Sequence, residues 1–200
     1  GFYAINFPDI IFADKVILYE GDTERMLIKN VLLSERFETL RNQYISFVQV
    51  GGAYAIKYKP ILEYLNVKSL IITDLDYKTE AETEADVRQS SSTNATINAF
   101  ATEALNESTP TVQALYSWKD SSECIVSNNI CLEFQGQTDG YARTLEEAML
   151  AKRYNVSVLD TKTKEEWTSL RENDKLRFVI PQKADSYSIR TIVQHTSKNK

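Results

Sequence analysis

The sequence predicts an α/β fold, a mostly parallel sheet flanked by helices, from three observations. Short apolar runs rich in β-branched residues occur at 16–19, 44–50 and 69–73, each the length of a strand buried on both faces. The first two runs end at glycine-bearing turns, Glu20-Gly21 and Gly51-Gly52. Helix-period segments follow both turns, and strands that alternate with helices across short turns build a parallel βαβαβ unit.

Taken in order, Lys15 opens the first strand, Val16-Ile17-Leu18-Tyr19. Thr23 then reads as the cap of a helix carrying Met26, Leu27, Val31, Leu32 and Leu33 on one face and running to about Leu40. After the second strand, a helix through about Leu65 would bury Ile56, Ile61 and Leu62. The third strand ends at Asp74-Leu75-Asp76. From Lys78 to Thr93 the chain is polar and acidic and reads as a loop or mobile insertion, with a helix at about 95–105. Glu123 to Phe134 reads as one or two strands broken at Asn128-Asn129, and Thr144 caps a helix at about 145–154. A charged helix near 163–172, a strand at 176–180 and an amphipathic helix at about 183–195 complete the expected order. The domain core is therefore placed at about 12–76 plus 120–195, with a less regular insertion at about 77–120 and a C-terminal helical segment.

Composition narrows the chemistry. The chain has 200 residues and a net charge of −5, so binding of nucleic acid by bulk basicity is excluded. The charge is uneven: residues 1–150 hold 12 Lys and Arg against 22 Asp and Glu, whereas residues 151–200 hold 11 against 6. A lone histidine, His195, rules out most Ser-His, Cys-His and multi-histidine metal mechanisms. Cys124 and Cys131 form no C-x-x-C pair and are read as reduced. Asn94, Asn106 and Asn155 begin N-x-S/T matches, which at this length arise by chance. No apolar run reaches the roughly 18–20 residues of a membrane helix, and no signal peptide is evident, so a cytoplasmic location is expected. The opening Gly1, running straight into strand-like sequence, suggests a segment of a longer chain.

Chemistry must then rest on carboxylates. In open parallel sheets, functional groups gather at the carboxyl ends of strands. Glu20 ends the first strand, and Glu24 follows one helical turn later, with Gly21 permitting close approach. Asp74 and Asp76 end the third, and residues two apart share one side of an extended chain. Hard oxygen ligands of this kind suit Mg²⁺ or Mn²⁺ rather than zinc.

Three segments, 12–24 through Glu20-Gly21-Asp22-Thr23-Glu24, 48–52 through Gly51-Gly52, and 71–76 through Asp74-Leu75-Asp76, resemble the TOPRIM domain of overcoming-lysogenization-defect (OLD) family nucleases, a family that includes the Gabija anti-phage nuclease. The likeness resumes at Arg143-Thr144-Leu145-Glu146-Glu147-Ala148 and at Lys183-Ala184-Asp185. TOPRIM primases and topoisomerases carry D-x-D-x-D, and Lys78 in the third position favours the OLD branch. The resemblance implies a TOPRIM fold and two-metal endonuclease or nickase chemistry on DNA. It places Glu20, Asp74 and Asp76 on one ion, Glu24 and Glu146 near the second, Glu147 as the alternative late ligand, and Lys183 as the active-site lysine. It also implies an upstream ABC-type ATPase domain, whose phosphate-loop motif is not in these residues. With it would come ATP dependence, a homo-oligomer built through that domain, and a helicase partner if the Gabija likeness extends so far. The competing readings are another TOPRIM enzyme, an RNA-processing nuclease or a primase, and a non-catalytic TOPRIM interaction module.

Overall fold

A computed structural model describes residues 7–51, 54–78, 81–121 and 125–160. Five strands, β1 (Lys15–Tyr19), β2 (Ile45–Gln49), β3 (Lys68–Ile72), β4 (Ile125–Ser127) and β5 (Ile130–Glu133), form one sheet in the order β2-β1-β3-β5-β4. Pairings β1 to β2, β1 to β3 and β3 to β5 are parallel. β4 pairs antiparallel with β5 as a hairpin at the sheet edge, turning at the expected Asn128-Asn129 with Asn128 in the left-handed region.

Val16, Leu18, Val48, Ile71, Ile130 and Leu132 project from the sheet into the main core. That face is covered by α4 (Lys59–Leu65), α6 (Ala95–Leu105) and α7 (Val112–Asp120), which supply the fully buried Leu62, Ile97 and Tyr116. α6 falls where a helix was expected, while the stretch from Lys78 to Thr93, read as a loop, holds a further short helix. Thr83 caps α5 (Glu84–Gln89) by accepting from the Asp86 N–H, while the Asp86 carboxylate accepts from the Thr83 N–H, so two of these acids serve a capping box and a first helical turn. Val87 anchors α5 with no exposed surface.

α2 (Asp22–Leu32) walls the side of the sheet that carries Ile17, Leu70 and Cys131, and α8 (Leu145–Tyr154) adds Ala148, Leu150 and Ala151 to the core. α8 has the expected bounds and cap, Thr144 accepting from the Glu147 N–H. α2 does not: its N-cap is Gly21, and it stops at Leu32, followed by a 3₁₀ turn at Glu35–Phe37 and α3 (Glu38–Arg41). Its expected apolar stripe is only partly covered, Val31 and Leu33 being 40% and 68% exposed. Val31 faces a cleft of about 560 Å³ whose wall also includes Leu27, Ile28 and Leu32 and which reaches the amino ends of β1 and β3 at Lys15 and Lys68. The cleft is apolar, holds no carboxylate and lies at the wrong end of the strands to be the site described below.

A short helix, α1 (Phe7–Ile11), and α7 have no counterpart in the sequence reading. Cys131 is disulfide-bonded, which corrects the expectation of reduced thiols; Cys124 lies outside the described residues. The elements expected at 163–172, 176–180 and 183–195, with Lys183 and His195, also lie outside them, as does Gly52. No helix among the described residues is long and apolar enough to cross a membrane.

Candidate active site

The carboxyl ends of β1, β3 and β5 open onto the same side of the sheet, and the chain places a carboxylate or an amide at each. Glu20 follows β1. Its Oε1 accepts hydrogen bonds from the Thr73 hydroxyl and from Asn94 Nδ2 at 3.1 Å. Glu24, one turn into α2, is 4% exposed and takes the Gly21 N–H on Oε2 at 3.0 Å. This bond explains the helix start. Gly21 caps with backbone alone, and the Thr23 side chain is free to leave the helix and donate to Glu146 Oε1 at 2.5 Å. The α2 and α8 termini are joined by that bond across 123 residues of sequence.

Asp74 sits at the centre. Its Oδ1 accepts from Gln135 Nε2 and from the Leu145 N–H, both at 2.9 Å, so the turn after β3 is tied to the segment after β5 and to the start of α8. Gln135 is itself fixed, its Oε1 accepting from the Leu75 N–H at 2.7 Å. Burial and then repulsion from Glu24, Asp76, Glu146 and Glu20 push the Asp74 carboxyl up to about 8. Burial also raises Glu24, with Glu146 and Glu20 adding to it against opposing hydrogen bonds from the backbone. Asp76 is raised by burial and by Glu20, while the Arg143 guanidinium pulls the other way.

Asp76 reaches this cluster by a route the sequence argument did not give. β3 ends at Ile72, and Asp76 has φ +48, so the two aspartates are not alternate residues of one extended strand. Aspartate tolerates the left-handed region better than most residues. The turn is held by the Asp76 N–H donating to the Arg143 carbonyl and the Thr93 N–H donating to the Asp76 carbonyl.

The two late acids part company. Glu146, 4% exposed, faces Thr23 and repels Asp74 and Glu24. Glu147 turns back to accept from the Arg143 N–H at 2.7 Å beside the Thr144 cap, and burial is the first cause of its raised pKa. Gly51, at φ +37, needs its conformational freedom for the turn after β2 rather than for close approach, since a Cβ there would meet nothing within 4 Å.

Over residues 11–76 the chain matches the family model of the overcoming lysogenization defect protein-like TOPRIM domain. The likeness to an OLD-like TOPRIM domain is carried by this segment. It contains β1, β2, β3 and four of the acids just described, and the α/β sheet built on it is the TOPRIM fold. The chain is also similar to endonuclease GajA of Bacillus cereus (strain HuB5-5), 28% identical over 172 residues that make up 82% of this chain and 23% of that protein. The chain spans under a quarter of that relative's length.

The donor chemistry around Asp74 fits a hard divalent cation. Buried carboxylates that repel one another are costly unless a cation joins them. Among the described residues, the cation in electrostatic reach is Arg143, which acts on Asp76 and Glu147 and is anchored by its Nε donating to the Tyr77 carbonyl. The carboxylates are nevertheless turned toward protein donors, and among the described residues no three of them form a ready ligand group. Electrostatic reach is the longer-ranged signal, and it is what groups these acids; ligand geometry would require short side-chain rotations onto one point. Sequence reasoning missed the neutral partners Thr73, Asn94 and Gln135. Asn94 was visible only as a chance N-x-T match, and Gln135 carried no pattern at all.

Proposed function

We propose that the chain is the nuclease part of an OLD-family protein and cleaves DNA phosphodiester bonds with the help of Mg²⁺ or Mn²⁺. The observation that carries this reading is the crowding of Asp74: four other acids act on one buried carboxyl at the strand ends of a TOPRIM sheet. The endonuclease named among its relatives supports a nuclease over other TOPRIM chemistries. Glu20, Asp74 and Asp76 would hold one ion, with Glu24 and Glu146 on the second; Glu147, committed to the Arg143 N–H, is the weaker choice for the late ligand. When bound, such ions supply an activated water and neutralise charge developing on the phosphate.

The protein's own residues do the positioning. Gln135 and the Leu145 N–H fix Asp74, the Gly21 N–H fixes Glu24, and Thr23 fixes Glu146, so that each acid keeps one oxygen engaged and offers the other. An acidic mouth repels the phosphate backbone, so cation loading also serves as the gate for substrate. Lys183 is proposed to contact the scissile phosphate, and an ATPase domain is proposed for the remainder of the full-length protein.

The test is conversion of supercoiled plasmid to nicked and linear forms by the 200-residue chain in Mg²⁺ or Mn²⁺, beside a single-stranded RNA and a primer-synthesis assay. DNA cleavage that stops with chelator is expected. Cleavage confined to RNA, or primer synthesis, would instead place the protein among other TOPRIM enzymes.

A further inference from the structure

We infer that Asn94, supplied by the helical insertion between β3 and β4, is a positioning residue for Glu20, so that the insertion is part of the active site rather than an appendage to it. This rests on the nuclease reading above.

Asn94 is 1% exposed although it is a polar residue in a polar stretch of sequence. Both ends of its side-chain amide are committed. Oδ1 caps α6, accepting from the Thr96 and Ile97 N–H groups at 3.0 and 3.2 Å. These donors settle the orientation of the amide, because only oxygen can face two N–H groups. Nδ2 must therefore point the other way, toward Glu20 Oε1 at 3.1 Å, the Thr73 hydroxyl at 2.7 Å and the Asp74 carbonyl at 2.9 Å. The backbone beside it is pinned as well, the Asn94 N–H donating to Ser92 Oγ while the Ser92 hydroxyl donates to the Leu75 carbonyl.

Asn94 thus joins three things through one side chain: the start of an 11-residue helix, the backbone of the D-x-D turn, and a carboxylate from the first strand. The chemistry of the donor matters. A lysine or arginine in this place would hold Glu20 by cancelling its charge and would compete with a divalent ion. An amide holds the carboxylate and leaves its charge in place. Among the described residues, all hydrogen bonds to the Glu20 carboxylate fall on Oε1, which leaves Oε2 for a cation.

The deciding variant is Asn94→Asp. Aspartate caps helices as well as asparagine does, so α6 keeps its cap while the donor facing Glu20 becomes a second carboxylate. Partners that orient metal ligands typically contribute 10–100-fold to metal affinity or activity, so Mn²⁺ affinity by calorimetry and plasmid cleavage should each fall by about that factor, with circular dichroism unchanged. A readout free of metal accompanies this. The apo melting temperature of Asn94→Asp should fall, and adding Glu20→Gln, which restores an amide–carboxylate pair in reverse, should recover it. A residue that only caps a helix would show no such coupling. If Asn94→Asp does not fold, Asn94→Ser, which retains a capping oxygen and lacks Nδ2, is read by the same Mn²⁺ titration and cleavage assay, with the same loss expected. Wild-type Mn²⁺ affinity and cleavage in the folded variant, together with no recovery on adding Glu20→Gln, overturn the inference. A wild-type chain that neither binds Mn²⁺ nor cuts DNA defeats the nuclease reading instead, and the apo coupling then still decides whether Asn94 holds Glu20.

Discussion

The first βαβαβ unit and the insertion that follows it are built from the same chain yet announce themselves very differently. In the first, β1 and β3 are near-continuous apolar runs, and the acids Glu20 and Asp74 sit at their carboxyl ends. In the insertion, polar residues dominate, and the apolar ones that matter are spread thinly over three short helices, as Val87, Ile97 and Tyr116. Strand-end carboxylates can be read from sequence because a parallel sheet places them together by topology alone. The amides that hold them cannot, because their placement depends on how the insertion packs.

The comparison breaks most visibly in catalysis. Glu20→Ala and Asp74→Ala should each lower DNA cleavage by orders of magnitude while leaving the apo protein folded. A collapse of the apo melting temperature would show these acids to be structural. Gln135→Ala should fall between them and wild type, about 10–100-fold down, because it loosens Asp74 without removing it. Metal titration against cleavage separates the two classes.

The insertion is tested by stability. Ile97 is fully buried, so Ile97→Ala should cost about 2–5 kcal/mol, and thermal unfolding should register each kcal/mol as about 2–4 °C in a chain of this size. An unaltered melting temperature would show that α6 does not pack into the core.

Much of the sheet was legible. β1, the β4–β5 hairpin and α8 follow from apolar runs, an Asn-Asn turn and a Thr cap, all local signals. Where the reading failed, the deciding partner was distant. Thr23 reads as a helix cap until Glu146 claims its hydroxyl, and Asp74 and Asp76 read as alternate strand residues until the left-handed Asp76 shows otherwise. The α2 stripe misleads for a related reason: helical periodicity reports a face to be covered, and here that face lines a cleft.

A smaller effect separates the two regions by pH. Asp74 has a folded-state pKa raised to about 8 from an ordinary 3.8, so its ionisation favours the unfolded chain. Its contribution is fully favourable below about pH 4 and is lost as pH rises through 8, and the apo melting temperature should decline across that window. Asp74→Asn should flatten the decline, and Mn²⁺ should oppose it in wild type. Thr83→Ala, which removes the α5 cap far from the acids, should cost only about 0.5–2 kcal/mol and leave the decline between about pH 4 and pH 8 unchanged.

The central claim, that the carboxylates around Asp74 form a divalent-cation site, is tested most directly by calorimetric titration of Mn²⁺ into the chain at pH 7 in buffers of different ionisation enthalpy. With the Asp74 carboxyl pushed up to about 8, it is largely protonated before the ion arrives, so binding should release a proton, and the measured heat should change with the buffer. Asp74→Asn should weaken binding and abolish that release. Absence of Mn²⁺ binding, or binding of equal strength and equal proton release in Asp74→Asn, would contradict the account.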